Sequence, residues 1–567
     1  MLGHKKQHGA GVYTPFVVSS LKLPVDEHVT TLSYTRGADR PLLELTIGGL
    51  LERTANRFPE RLAVASRHQE QRMTWAELSE AADRVARGLW SLGIRRGDRV
   101  GLWSTNCIEW IQMHMGCARA GAALVNVNPA YRSHELQYTL ARSRMKALFL
   151  WHKDKRADYE EILSRARHGL TLELAHTIFF DSPEWRALQH ATGELPDRVA
   201  VDDVANIQYT SGTTGLPKGV MLTHHNVVNN GQFLAQGFHY TEQDRIVVPV
   251  PLFHCYGCVI GTMSALNSGA AIVLPNWTFD ARATLQAVHA ERATSVYGVP
   301  AMYVAEFGLP DFESFDLTSL RTGMMSGAPC PVELMKRVLN EMHIRELVIA
   351  YGQTETSPVV TMSDAGDSIE IRVNTVGRAM PQTEIQVIST ITGESLPIGE
   401  QGEICARGYA VMKGYDGDAE GTALVVKPDG WLHTGDLGVM HEDGCIHLTG
   451  RSRDVIIRGG ENIYPREVEE FLYTHPKVGE VQVVGIPNQR LGEIVVAWVR
   501  LRPGQEATEE EIRTWCQGQI AYYKIPEHVR FVDDFPATLS GKIQKYKIRE
   551  FEIEARGLQA EASAATA

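Results

Sequence analysis

Apolar positions in the first third of the chain follow helical and strand periods in turn. Thr74 and Glu77 form a capping-box sequence, after which Leu78, Val85 and Leu89 recur at helical spacing. Short apolar runs then alternate with amphipathic ones, which predicts strands at 100–103, 123–127 and 147–150, with helices at 108–119 and from 133. Such alternation predicts parallel α/β layers.

The same alternation continues after residue 282, and then changes. We expect helices at 284–291 and 331–341, with a strand at 295–299 between them. Beyond Ile385 short strands are separated by turn sequences, which predicts a β-rich subdomain. Residues 1–45 read as loop, draped over the first domain.

The last part of the chain has its own pattern. Over roughly 110 residues, helices are expected at 465–475 and 508–520 and strands at 481–486 and 494–501. This pattern predicts a separate, small α+β unit. The fold class is therefore α/β, with a large N-terminal domain of layered α/β subdomains plus a β-rich subdomain, followed by that small unit.

One long apolar stretch requires a decision about membranes. From Ile246 to Phe279 there is no Asp, Glu, Lys or Arg, but several prolines and glycines interrupt the run. Consecutive buried strands and a packed helix explain this better than a membrane span. No transmembrane segment is expected.

Composition narrows the class of protein. The chain has 567 residues, a formal net charge of −12 and eight scattered cysteines. A negative charge argues against a nucleic-acid surface, which needs a basic field. Cysteines without a disulfide rhythm indicate a reducing compartment, so we expect the cytoplasm.

The most informative stretch is Tyr209–Gly219, Tyr-Thr-Ser-Gly-Thr-Thr-Gly-Leu-Pro-Lys-Gly. Glycines allow close backbone approach to a ligand, free N–H groups can bind an anion, and Lys218 adds a cation. The pattern indicates a phosphate-binding loop. It is not a Walker A loop, because Lys218 follows a proline and precedes a glycine.

This stretch resembles the signature loop of the adenylate-forming superfamily, which includes acyl-CoA synthetases, aryl-CoA ligases, adenylation domains and beetle luciferases. Further stretches resemble that family in the family's order: Ser326–Pro329, Tyr351–Glu355, Trp431–Asp436, Gly450–Asp454, Arg458–Asn462 and Pro536–Lys542. The resemblance implies ATP and CoA as substrates and Mg²⁺ as the metal.

The resemblance also implies roles for individual residues. Those expected to contact nucleotide or CoA are Thr210, Ser211, Gly212, Thr213, Thr214, Gly215, Lys218, Gly327, Ala328, Tyr351, Gly352, Gln353, Asp436, Arg451, Gly459 and Gly460. Those expected to line the acid site are His254, Val299, Met325 and Ser326.

Three roles concern catalysis and movement. Lys542 is expected to stabilise charge at the α-phosphate, Thr354 and Glu355 to assist catalysis, and Glu355 to bind the metal. Asp454 matches the family's hinge. The expected domains are therefore 1–453, the AMP-binding domain, and 454–567, a mobile domain that carries the catalytic lysine.

Within the superfamily, the sequences around Asn126–Tyr131, Pro251–Cys255 and Tyr351–Pro358 are most similar to medium-chain fatty acyl-CoA synthetases. An ATP-dependent ligase that forms a CoA thioester through an acyl-adenylate is expected. The alternatives are an aryl-CoA ligase, an enzyme that loads a carrier protein, a luciferase-like oxygenase and a non-catalytic nucleotide-binding protein. We also consider a homodimer.

Overall fold

The computed structural model describes residues 31–194, 199–210, 217–327, 330, 332–451, 454–458, 461–538 and 543–559. Two large sheets form the N-terminal part. In spatial order, the strands of the first are Gly414–Tyr415, Lys218–Thr223, Val204–Thr210, Ala123–Val127, Arg99–Trp103, Ala147–Leu150 and His176–Phe179. Neighbours are parallel except at the first two pairings.

The second sheet is longer and also has a parallel centre. Its strands, in spatial order, are Arg378–Ala379, Val359–Met362, Glu346–Gly352, Thr322–Ser326, Ser295–Gly298, Arg245–Val247, Ala271–Leu274, Leu62–Ser66 and Gln71–Thr74. Antiparallel strands close both edges. The predicted parallel α/β layers are confirmed.

Helices fill the space between and around these sheets. In the N-terminal part they are Ile47–Arg57, Trp75–Ser91, Ile108–Ala120, Ser133–Ser143, Tyr159–Arg167, Pro183–Leu188, His224–Gly237, Thr262–Ser268, Ala281–Glu291, Pro300–Phe307, Val332–Glu341, Ile369–Asn374 and Ala419–Val425. The largest apolar cluster joins side chains of both sheets, such as Leu102 and Ile272, to Trp75 and Trp110 of two helices. The capping box at Thr74 and Glu77 is present as predicted.

The long apolar stretch is divided as its prolines and glycines predict. It begins inside the strand Arg245–Val247 and contains the π-helix Tyr256–Gly261, the helix Thr262–Ser268 and the strand Ala271–Leu274. Among the described residues, no helix combines the length and the apolar character that crossing a bilayer requires.

The predicted β-rich subdomain is an antiparallel sheet. Its strands are Tyr34–Arg36, Thr383–Ile388, Gln401–Gly408, Leu432–Met440 and Ile446–Arg451. The first of them corrects the prediction that residues 1–45 are all loop. Tyr34–Arg36 forms a strand because Thr383–Ile388 offers it an antiparallel partner far along the chain.

The C-terminal unit is an α+β arrangement with its own apolar clusters. Its strands are Glu461–Ile463, Ile456–Arg458, Gly492–Leu501, Val478–Asn488 and His528–Phe531, and its helices are Pro465–Leu472, Glu509–Cys516 and Lys545–Ala555. The predicted helices at 465–475 and 508–520 each end earlier than expected. Together with the two large sheets, this unit confirms the predicted fold class.

Candidate functional site

The glycine-rich loop joins two antiparallel strands of the first sheet. Thr210, at the end of Val204–Thr210, is paired with Lys218, at the start of Lys218–Thr223. The strand Val204–Thr210 runs parallel to Ala123–Val127, so the loop leaves the carboxyl end of a parallel strand, where ligands bind in α/β sheets. The predicted contacts Ser211, Gly212, Thr213, Thr214 and Gly215 lie outside the described residues.

Lys218 lies beside a tyrosine and a carboxylate. Its Nζ is 4.7 Å from the ring centroid of Tyr415 and 3.6 Å from Oδ2 of Asp418. The Tyr415 hydroxyl donates a hydrogen bond of 2.9 Å to Oε1 of Glu355. The structure thus brings Lys218 and Glu355, two predicted site residues, into contact with one tyrosine, the lysine over its ring and the carboxylate at its hydroxyl.

The strand Glu346–Gly352 ends at the predicted motif. A side chain at Gly352 would place its Cβ 1.8 Å from the carbonyl oxygen of Pro358, so only glycine fits there. Gln353 precedes a single 3₁₀ turn, Thr354–Thr356, in which Thr354 is buried and Glu355 half-buried. Oγ1 of Thr354 is 3.7 Å from Sγ of Cys255.

Asp436 lies at the centre of a buried polar group. Its Oδ2 accepts a hydrogen bond of 2.8 Å from the Tyr351 hydroxyl, and its Oδ1 is 3.0 Å from Nε of Arg451. Burial and the Asp436 charge raise the pKa of Tyr351 well above its usual value, so the phenol stays a donor. Burial alone would lower the pKa of Arg451, but the charges of Asp436 and Asp454 raise it.

Glu403, which the sequence reasoning missed, holds the turn before Asp436. Its Oε1 accepts a 3.0 Å hydrogen bond from the backbone N–H of Gly435, and its Oε2 is 2.9 Å from Nδ1 of His433. Cys405 lies close enough to both side chains for the three to hold a metal. Because the two Glu403 oxygens are already engaged, we interpret Glu403 as a clamp on this turn.

Two of the residues expected to line the acid site, Val299 and Ser326, lie at the ends of neighbouring parallel strands. Val299 follows Ser295–Gly298, and Ser326 ends Thr322–Ser326, where its Oγ donates 2.7 Å to the carbonyl of Ala350. Gly327 has a φ of +87°, and a Cβ there would lie 3.2 Å from Val299. Its predicted neighbour Ala328 lies outside the described residues.

The two methionines of this strand face opposite sides. Met325 packs in a cluster with Tyr303 and Leu347, whereas Met324 shares the cluster of Val299 and Met302. Side chains alternate along a strand, so only one of the pair can lie on the Val299 side. The structure therefore favours Met324 for a lining position, and the assignment of Met325 stays untested.

A chain of buried amides holds the segment that carries His254. Asn126 donates 2.9 Å to the carbonyl of Phe253, Asn206 donates 2.9 Å to Asn126, and Gln208 donates 2.7 Å to Asn206. His254 itself is half-buried, and its Nδ1 lies 3.1 Å from the Tyr256 nitrogen. Next to it, burial raises the pKa of the Cys255 thiol to about 12.

The predicted catalytic lysine, Lys542, and the predicted CoA-tunnel glycines, Gly459 and Gly460, lie outside the described residues. On either side of Lys542 the chain is paired, because Ala537 and Ile543 form an antiparallel bridge. Asp454 is described, and its charge acts on Arg451, at the junction where a hinge is predicted.

Three groups that support this site were missed from the sequence: Tyr415, Asp418 and Glu403. Tyr415 and Asp418 contact predicted residues that are far away along the chain. Glu403 contacts Gly435 and His433, which lie on the neighbouring strand. The signal that could have found Glu403 is the strand period, which places it two residues from Cys405 on one face.

Comparison with known proteins gives consistent matches. The model of the AMP-binding enzyme family matches residues 51–416, and that of the AMP-binding enzyme C-terminal domain matches 467–542. The putative acyl-CoA synthetase YngI of Bacillus subtilis is 45% identical over 90% of this chain and 98% of its own. Human mitochondrial medium-chain acyl-CoA ligase ACSF2 is 41% identical over 93% and 91%.

A solved structure has the same architecture. ATP-bound MatB from Rhodopseudomonas palustris is similar with a TM-score of 0.80 and 30% identity, over 89% of this chain and 99% of MatB. These matches confirm the predicted resemblance and the predicted class, an acid–CoA ligase that forms AMP. The chain therefore belongs to the AMP-binding enzyme family.

Proposed function

We propose that this chain activates a medium-chain fatty acid with ATP and transfers the acyl group to CoA. The observation that carries the proposal is one strand end, where Tyr351 bonds Asp436 and, four residues later, Glu355 bonds Tyr415 beside Lys218. A base and ribose can lie on the first group and phosphates on the second. An apolar wall around Val299 adjoins them.

In the first step, a carboxylate oxygen of the acid attacks the α-phosphorus of ATP. The bond from that phosphorus to the bridging oxygen breaks, and pyrophosphate leaves with the electron pair. Lys218 offsets phosphate charge, and Lys542 is assigned to the charge that develops between acid and phosphate. Positioning and electrostatics carry this step, so no proton-abstracting triad is required.

In the second step, the CoA thiolate attacks the acyl carbon and AMP leaves with the electrons of the acyl–oxygen bond. We assign the hinge between the two half-reactions to Asp454, and the boundary between domains 1–453 and 454–567 to the same place. The CoA path is assigned to Gly459 and Gly460. These assignments rest on the family resemblance of their motifs.

Mg²⁺ is the metal that the residues fit. Glu355 offers half-buried carboxylate oxygens, the ligand type that this ion prefers, and Tyr415 already orients one of them. Glu355 would hold the ion together with phosphate oxygens. When bound, the ion neutralises phosphate charge and orients the leaving group.

The acid is proposed to be a medium-chain fatty acid. Support comes from the apolar side chains Val259, Val299, Met302 and Met324, which share one cluster, and from the ACSF2 relatives, named for medium-chain acids. An apolar pocket gains about 0.8 kcal/mol per buried methylene, so neighbouring chain lengths are weakly separated. An aryl acid and a carrier-protein acceptor are the rival substrates.

We propose a cytoplasmic location, while the ACSF2 relatives are named as mitochondrial. All eight cysteines are free thiols, which fits a reducing compartment. Fractionation of the native host tests the location. Light scattering, which measures the mass of the particle in solution, tests whether the protein is a homodimer.

The function is tested by pyrophosphate release from ATP with short, medium, long and aryl acids, each with and without CoA. The thioester is identified by mass. Medium-chain acyl-CoA with AMP is the expected product. Pyrophosphate release without any CoA thioester would indicate a carrier protein as the acceptor instead of CoA. Preference for aryl acids would indicate an aryl acid as the substrate instead of a fatty acid.

A further inference from the structure

Tyr415 contacts two groups of the proposed phosphate site at once. Its ring lies 4.7 Å from the Lys218 ammonium, and its hydroxyl donates 2.9 Å to the Glu355 carboxylate. The tyrosine is itself buried, with 8% of its surface exposed. Burial and the Glu355 charge raise the pKa of Tyr415 above its usual value, so the hydroxyl remains a donor.

The backbone around Tyr415 is fixed to both partners. Gly414 and Tyr415 pair with the strand Lys218–Thr223, which begins with the lysine. On the other side, the Met412 nitrogen donates 2.9 Å to the carbonyl of Glu355. The backbone that carries the ring therefore cannot move away from either group without breaking main-chain hydrogen bonds.

The two contacts differ in physical kind. A cation over an aromatic face is held by the ring, and this attraction is sensitive to loss of the aromatic face. A hydroxyl that donates to a carboxylate fixes the direction of that carboxylate, as partners of metal-binding side chains commonly do. One residue can thus place the cation and the carboxylate through separable parts of its side chain.

We propose that Tyr415 is a positioning residue that sets Lys218 and Glu355 in fixed relation, the ring acting on the lysine and the hydroxyl on the carboxylate. The inference rests on the proposed function, because it assigns Lys218 to phosphate and Glu355 to Mg²⁺. It adds a residue to that site which none of the recognised motifs contains.

The test measures ATP affinity by calorimetry, without acid or CoA, in Mg²⁺ and in EDTA. Tyr415→Phe removes the hydroxyl and keeps the ring. In Mg²⁺ it should weaken ATP binding roughly tenfold, as loss of a hydrogen bond to a charged group does, and in EDTA it should change little. Tyr415→Leu should weaken binding further, and in both conditions.

A double-mutant comparison isolates the route through Glu355. In the Glu355→Gln background, Tyr415→Phe should have no further effect on ATP affinity in Mg²⁺. Tyr409→Phe is the matched control, because this half-buried tyrosine loses a 3.3 Å hydrogen bond with Asn230 rather than one with Glu355. It should leave ATP affinity unchanged, and thermal unfolding should show that all variants are folded.

Each other result has a definite meaning. Unchanged affinity in Tyr415→Phe, equal loss in Mg²⁺ and EDTA, or additive losses with Glu355→Gln would each overturn the role of the hydroxyl. Wild-type protein that does not bind ATP would overturn the proposed function, and this inference with it. If the wild-type protein binds ATP and Tyr415→Phe binds it equally well, the proposed function is retained and the role of Tyr415 is rejected.

Discussion

The proposed nucleotide side and the proposed acid side of the site are built differently. On the nucleotide side, Asp436 has two directional partners, Tyr351 and Arg451, within 3.0 Å. On the acid side, Val299 and Met302 belong to an apolar cluster. A directional group rejects a ligand that leaves it unpaired, whereas an apolar wall loses only a small transfer energy per missing methylene. The difference predicts strict nucleotide recognition and graded acid selection.

The largest effect is expected for Lys542→Ala. Loss of one charge-stabilising donor should slow adenylate formation on the order of 10²–10³-fold or more. Transfer from supplied acyl-AMP to CoA should be spared, and the two half-reactions are measured separately. Lys547→Ala, an exposed lysine nearby, is the control. Equal loss in both half-reactions would contradict the role assigned to Lys542.

The second-largest effect is expected for Asp436→Ala, because this change leaves two partners without their carboxylate. Tyr351 and Arg451 would each lose a buried hydrogen bond or ion pair, costing about 1–3 kcal/mol of unfolding free energy. ATP affinity should fall roughly 100-fold. Asp436→Asn is the control for shape and should retain more stability. Denaturant unfolding and calorimetry measure the two effects, and wild-type ATP affinity in Asp436→Ala would refute the assignment.

The acid side should respond more gently. Val299→Ala leaves more room beside the apolar wall, so the preferred acid should be one or two carbons longer. Each added methylene should change kcat/KM by about fourfold. KM for ATP should not change. Met325→Ala is a comparison from the opposite face. A larger shift in Met325→Ala than in Val299→Ala would restore Met325 as the lining residue.

The smallest effect is expected for Asp418→Asn. It removes the charge 3.6 Å from Lys218, and asparagine can still cap the helix Ala419–Val425 as the aspartate does. Exposed ion pairs contribute about 1 kcal/mol or less. KM for ATP should therefore fall by at most about fivefold. A rise in that KM would show that Asp418 helps to bind the nucleotide rather than competing for the lysine.

Local sequence was enough to predict features that local interactions decide. The capping box at Thr74 needs only its own helix, and the predicted strands at 123–127 and 147–150 need only their own apolar runs. The strand Tyr34–Arg36 was missed because its partner is Thr383–Ile388. The strand could not be predicted from its own sequence because its pairing partner lies far along the chain.

The supporting side chains were hidden for the same reason. Tyr415 acquires its role only when the fold brings it to Glu355, and Glu403 only when its strand lies beside the strand Leu432–Met440. The predicted lining role of Met325 stays untested, and the side of its strand that faces Val299 was hidden for a different reason. Both faces of that strand are buried, so hydrophobicity does not reveal which face looks toward Val299.

The most direct measurement compares substrate analogues on wild-type protein. Values of kcat/KM are taken for ATP, 2′-deoxy-ATP and 3′-deoxy-ATP, and for straight-chain acids that differ by one methylene. For a deoxy nucleotide, kcat/KM should be at least roughly tenfold lower than for ATP, because Asp436 then lacks one hydrogen-bond partner. Neighbouring medium-chain acids should differ by about fourfold or less. Deoxy nucleotides used as well as ATP, with sharp discrimination between neighbouring acids, would contradict it.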